Sequence, residues 1–179
     1  HSADADRVEY ACADLGSDYV ALREEMRRFT NGSSRPLVCL HLAGTYGRAS
    51  LAELSAESLE AATRAKATGA VHLHNAAIEL RLTPAFVHFG SVATTFAGHG
   101  LAGYAASNAF LEWFAAHQRE ACGMYARTIA WASWTGLGIS ARDETLGMAD
   151  WLAPLPLRDG MAALNALLRG CGGGTYPDV

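Results

Sequence analysis

Four polar residues fall at spacings that matter only if the fold brings them together. Ser91 ends the apolar run AFVHFGS, Tyr104 follows it by 13 residues, and Asn108 follows Tyr104 by four. Lys66 lies 25 residues before Ser91, in a long Ala- and Leu-rich segment. Tyr104 and Asn108 share one face of a helix, one turn apart. A serine and a tyrosine hydroxyl aimed at one point suit a carbonyl oxygen that gains charge as a hydride arrives. A lysine beside the tyrosine favours the phenolate of a group whose ordinary pKa is near ~10. The chemistry in prospect is carbonyl reduction.

The elements that would carry these residues alternate along the chain. The sequence predicts strands over 7–15, 37–44, 85–91 and 125–131, with a last partial strand at YPDV. Helices are predicted over 18–29, through most of 51–80 (with Ser50 and Ser55 as N-caps), and over 103–123 and 157–170. Arg27 and Arg28 near the end of the first helix suit its dipole, and Gly123 suits a helix stop. Strands apolar on both faces, separated by helices, predict an α/β fold: a Rossmann-like, doubly wound parallel sheet with helices on both faces. Its strand C-termini form the ligand-binding edge, where Ser91 falls. Gly98, Gly100 and Gly103 let the loop after Ser91 fold back on that edge. Without internal repeats or linkers, residues 1–179 read as one domain.

Composition narrows the function. Half of the 179 residues are apolar, charged residues make up 18%, and the net charge is −4. That balance gives no field for nucleic acid, and no apolar run reaches the roughly 18 residues of a membrane span. Cys12, Cys39, Cys122 and Cys171 form no CxxC pair. Cys12 and Cys39 read as buried free thiols, which fits a cytoplasmic protein. The seven histidines are scattered; His72 and His74, two apart on a helix, point to different sides, so no metal site is expected. GLGISA (136–141) matches G-x-G-x-x-A by form, but the βαβ unit that a dinucleotide fingerprint needs does not follow it.

The segments ACADL, HLAG, KATGAVHLH, FVHFGSVA, YAASNAFLEWFAAHQR and TIAWASW, in this order, resemble the ketoreductase domain of modular polyketide synthases and related megasynthases. That family is a branch of the short-chain dehydrogenases/reductases. Most of the superfamily reads Tyr-x-x-x-Lys; this branch exchanges the Lys and Asn positions, as Asn108 and Lys66 do here. The resemblance implies catalytic roles for Lys66, Ser91, Tyr104 and Asn108. Tyr104 would protonate the carbonyl oxygen, Ser91 would hold it, Lys66 would tune Tyr104 and contact the nicotinamide ribose, and Asn108 would position a water or the lysine. For the cofactor it implies Asp14 and Leu15 near the adenine, the Ala43–Gly44 turn, Lys66, Tyr104, and Trp131–Ala132 beside the nicotinamide. Asp14 could equally cap the following helix.

The implied activity is NADPH-dependent reduction of a 3-oxoacyl thioester, carried on the phosphopantetheine of an acyl carrier protein, to a 3-hydroxyacyl thioester. The expected partners are that carrier, neighbouring synthase domains and an N-terminal half of the domain that holds the phosphate-binding turn. The chain is thus expected to be the C-terminal part of a ketoreductase domain, short of its first strands and of its C-terminal end. Two alternatives are a non-catalytic structural part of a synthase module and a reductase of an α-keto acyl group in a peptide synthetase. Within the family, a Leu-Asp-Asp motif marks one alcohol configuration. Tyr46, Gly47 and Arg48 stand there instead, with Ala106 and Phe96 at two further marker positions. The resemblance implies the L-3-hydroxy product.

Overall fold

The computed structural model describes residues 8–31, 36–96, 98–138 and 152–171. Three parallel strands, β1 (Val38–His41), β2 (Ala85–Ser91) and β3 (Ala126–Trp131), lie in the order β1-β2-β3. Val38 pairs with Ala85, and Ser91 pairs with Trp131, so the strand C-termini fall along one edge. A long helical connection joins β1 to β2: α2 (Ala56–Thr63), a π-turn (Arg64–Thr68) and α3 (Gly69–Glu79). Helix α4 (Ala102–Glu120) joins β2 to β3. Helices α1 (Tyr19–Thr30) and α5 (Leu157–Cys171) complete the described elements. None of these helices is long and apolar enough to cross a membrane.

The helix ends follow from local chemistry. Asp18 caps α1, its carboxylate accepting the Ala21 N–H at 3.0 Å, while Arg27 and Arg28 occupy the last turn. Ser55 and Ser58 form a reciprocal capping box at α2. Ser50 caps no helix; it closes a separate turn in which the Glu53 carboxylate accepts its N–H and O–H. Gly123 takes φ +64° just after α4, a conformation glycine adopts freely.

The two faces of β2 form two cores. Phe86 packs with Leu22 of α1, Leu73 and Ala77 of α3, and Ala115 of α4. Ala85 and Val87 face the other way, toward Tyr125, Ile129 and Leu168 of α5. Burying a side chain such as Phe86 or Leu111 contributes roughly 1.5–3 kcal/mol. Helices therefore cover both faces of β2, the central strand of the three.

Three expectations fail. Residues 8–14 form no strand. A strand exists only by pairing, and in the doubly wound order a third strand lies beside the second, not beside the fourth. With that segment outside the sheet, Cys12 is exposed rather than buried, whereas Cys39 packs against the core and burial pushes its thiol pKa up to about 12. β1 is not covered on both sides either: Val38 and Leu40 are exposed. The predicted strand at YPDV, the end of the GLGISA segment and the side chain of Cys171 lie outside the described residues.

Candidate active site

The C-terminal edge of the sheet opens into a cavity of about 470 Å³, within the range of small-molecule sites. Ser91 ends β2 and reaches it directly, and Tyr104 reaches it from the first turn of α4. Lys66, Gly44, Trp131 and Ala132 also line it. The sequence placed these six residues together from spacing and resemblance, and the fold brings them together.

Each polar side chain is held by a specific contact. The Ser91 Oγ accepts the Ala93 N–H at 3.2 Å, so its own proton remains free to donate. Asn108 is fully buried; its Nδ2 donates to the Tyr104 carbonyl at 2.7 Å, while its buried Oδ1 has no partner among the described residues. The two residues do lie one turn apart on one face of α4. Tyr46 packs edge-on against the Tyr104 ring, with centroids 5.5 Å apart.

Lys66 is the charged group of the site. Only 5% exposed, it donates from Nζ to the Phe89 carbonyl at 2.6 Å. Burial pulls its pKa from 10.5 down to about 8, because the low-dielectric surroundings disfavour the ammonium. It sits inside the π-turn, where the Gly69 N–H reaches back to the carbonyls of both Arg64 and Lys66. Such insertions are rare and recur at functional sites. Gly44 lies against the lysine: a Cβ there would come within 2.9 Å of Lys66 Cε. That explains the glycine of the HLAG turn.

Other predicted residues stand apart. Asp14 and Leu15 do not line the cavity. The Asp14 carboxylate accepts the Gly16 N–H at 2.9 Å, and its pKa is lowered by the Ser17 hydroxyl and then by this bond. It organises the turn before α1, whereas Asp18 is the cap. Leu15 packs on the core, and its carbonyl lies 2.7 Å from His72 Nδ1. His74 instead meets Gln118, so the two histidines do face different partners. Ala43 lies beside Gly44 without lining the cavity. Among the described residues no group of three or more His, Cys, Asp or Glu could hold a metal.

Sequence reasoning missed the apolar wall. Leu157, Met161 and Leu164 of α5 join Trp134 and Leu137 in lining the same cavity. Trp134 stacks edge-on against Trp131, with ring centroids 4.9 Å apart, and its indole occupies the space a side chain at Gly160 would need. The only trace in the sequence is the spacing of α5, whose Leu157, Met161 and Leu164 fall at helical intervals of four and three.

Compared with known proteins, residues 7–136 match the family model of the KR domain. The chain belongs to the ketoreductase (KR) domain family. It is 37% identical over 142 residues to the spectinabilin polyketide synthase system protein NorB of Streptomyces orinoci, a match that covers 76% of this chain and 6% of that protein. It is 32% identical over 171 residues to the phenolphthiocerol synthesis polyketide synthase Pks15/1 of Mycobacterium marinum, covering 93% of this chain and 7% of that one. A solved A1-type ketoreductase superposes with a TM-score of 0.78 at 30% identity, over 90% of this chain and 34% of that one. The ketoreductase from the first module of phoslactomycin biosynthesis in a Streptomyces species gives 0.75 at 30%, over 95% and 38%. The ketoreductase chain thus spans a small fraction of its curated relatives and about a third of these solved chains.

The KR-domain family to which the chain belongs is a branch of the short-chain dehydrogenase/reductase superfamily, whose domains use a nicotinamide cofactor. The chain's cavity fits the reacting end of such a cofactor. A buried lysine and two hydroxyls line it, and the buried Nε1 of Trp131, also a wall residue, has no hydrogen-bond partner among the described residues.

Proposed function

We propose that this chain carries the carbonyl-reducing site of a synthase ketoreductase: NADPH-dependent conversion of a carrier-bound 3-oxoacyl thioester to the 3-hydroxyacyl thioester. The observation that supports it is the convergence of Lys66, Ser91 and Tyr104 on one cavity beside Trp131, with the lysine buried in a π-turn. The bound nicotinamide would supply the hydride; the residues below do the rest.

Ser91 donates its free hydroxyl proton to the substrate carbonyl oxygen. Tyr104 transfers its phenolic proton to the same oxygen as the carbonyl carbon is reduced, so the carbonyl becomes the alcohol and the phenolate must be reprotonated from solvent. Lys66, with a pKa of about 8, is mostly ammonium at neutral pH and stabilises that phenolate. Its Nζ spends one proton on the Phe89 carbonyl, leaving two for Tyr104 and the cofactor ribose. Asn108 offers its buried Oδ1 to a water or to the lysine. The apolar wall of Trp134, Leu157, Met161 and Leu164 suits an acyl chain and keeps water away from the reacting carbon. Gly44 and Trp131 would flank the nicotinamide; Asp14 and Leu15 remain proposed adenine contacts at the end of the unpaired segment.

The relatives are parts of multidomain polyketide synthases, which supports a carrier-bound substrate and neighbouring synthase domains. One similar solved structure is an adenylation–ketoreductase module of a keto acid-selecting peptide synthetase, with a TM-score of 0.72 at 26% identity. It favours an α-keto acyl substrate as the second reading.

The test uses the synthase polypeptide that carries these residues, with a 3-oxoacyl and a 2-oxoacyl thioester side by side. Tyr104→Phe should lower turnover about 100- to 10,000-fold. NADPH affinity should stay near wild type, because the ring that packs on Tyr46 is kept. Wild-type turnover by the variant would refute the role of Tyr104, and a preference for the 2-oxoacyl substrate would select the second reading.

A further inference from the structure

His41 is a buried polar residue that the chemistry above does not use. It closes β1 with 1% of its surface exposed. Its Nε2 lies 2.9 Å from the Lys66 carbonyl. A carbonyl only accepts, so Nε2 carries the proton and donates, which leaves Nδ1 bare. Among the described residues Nδ1 has no partner, and it is buried. Leaving such an atom unsatisfied costs about 1–3 kcal/mol, a cost that a leucine or valine at the end of a strand would avoid. Among the described residues, the one hydrogen bond His41 makes goes to the backbone of the lysine in the active-site cavity.

The place of that bond is telling. In a regular helix the backbone ladder fixes every side chain; in the π-turn the Gly69 N–H is shared between the Arg64 and Lys66 carbonyls. His41 adds a second donor to the Lys66 carbonyl from outside the helix. Three contacts then fix the lysine: His41 on its backbone, Gly44 against its methylenes, and the Phe89 carbonyl on Nζ. His41 is braced in turn, its ring perpendicular to His88 at 5.8 Å, and His88 Nε2 donates to the side-chain Oε1 of Gln118 at 2.8 Å.

We propose that His41 is a positioning residue: it pins the π-turn through the Lys66 carbonyl and thereby holds the Lys66 ammonium in the active-site cavity. The importance of that position for reduction rests on the proposed ketoreductase reading; the positioning itself does not. Burial lowers the His41 pKa to about 4, so the imidazole stays a neutral Nε2–H donor through the working range. The titratable groups around Lys66 are His41 on β1, His88 on β2, Tyr46 after β1 and Tyr104 on α4.

The chain itself allows a direct test, because Lys66 is its only lysine. Lysine labelled with ¹³C at Cε gives one side-chain signal, whose pH titration reports the burial of this amine. In the 179-residue wild-type chain it should titrate near 8. His41→Leu should release the turn and move the midpoint up by about 1–2 units toward the ordinary lysine value. His41→Gln, whose amide N–H reaches to where Nε2 stands, should restore it, and the shorter His41→Asn should not. Where His41→Leu loses the native circular dichroism, the Gln and Asn variants decide between them. A histidine that merely fills core space predicts an unmoved midpoint in the folded variants, or the same midpoint for Gln and Asn; either result overturns the proposal. Failure of the reductase reading would leave this titration unchanged, so the two failures are distinguishable.

Discussion

Replacing Lys66 by methionine should stabilise the chain at neutral pH and abolish the proposed chemistry. Methionine has a similar reach and keeps the packing against Gly44. The wild-type amine has a pKa of 10.5 when unfolded and about 8 when folded. A difference of this size is roughly 3 kcal/mol of linked free energy. Because the folded pKa is the lower one, the penalty is absent above the unfolded value and grows as pH falls. It is fully present once pH has dropped below about 8, where both states carry the charge. Methionine escapes it but leaves the Phe89 carbonyl without its donor, a loss of about 1–2 kcal/mol. The net gain for Lys66→Met is therefore about 1–2 kcal/mol at pH 6 to 7, shrinking and then reversing as pH approaches 10.5. Urea unfolding of both chains across that range measures it. Other groups that ionise at high pH are common to both chains and cancel in the difference. A difference that stays flat with pH, or a variant less stable at pH 6.5, would refute the argument from burial.

Gly160→Ala should lower the melting temperature although alanine is the better helix former. Its Cβ would meet Trp134 Cη2 at 2.5 Å, and overpacking of this kind costs about 1–3 kcal/mol; a raised melting temperature would refute the close packing. Gln118→Leu should cost about 1–3 kcal/mol in urea unfolding, because the buried His88 Nε2 loses its acceptor, and a neutral effect would mean that another group serves it. The reduced product should be the L-3-hydroxy thioester, since Tyr46, Gly47 and Arg48 stand where the opposing Leu-Asp-Asp motif would be. Chiral chromatography of the product from a diketide thioester decides this, and a D-3-hydroxy product overturns it.

What the sequence determined by itself was local order and which residues are proposed to react. The run AFVHFGS became β2 over the predicted residues, because a short β-branched and aromatic stretch flanked by helices suits a central strand. α1 begins within one residue of its predicted start, though its cap is Asp18 rather than Asp14, and α4 stops before Gly123, since caps and stops act within a few residues of chain. Tyr104 and Asn108 share a face by helical geometry alone. The types and spacing of Lys66, Ser91, Tyr104 and Asn108, together with the flanking segments, were enough to indicate the family.

The tertiary structure decided everything that depends on contact between distant segments. Residues 8–14 have strand composition but no strand, because a strand is defined by its neighbours. The helix over 51–80 looked uniform in sequence; its π-turn is stabilised in part by His41, 25 residues before Lys66 and on another element. No local pattern marks Gly160 as the place where the Trp134 indole fits, nor α5 as a wall of the cavity. The lysine was nameable from sequence, but its burial, and hence its pKa near 8, arises only when β1, β2 and α4 close around it. Desolvation is a property of the surrounding volume, and a linear sequence does not contain that volume until it folds.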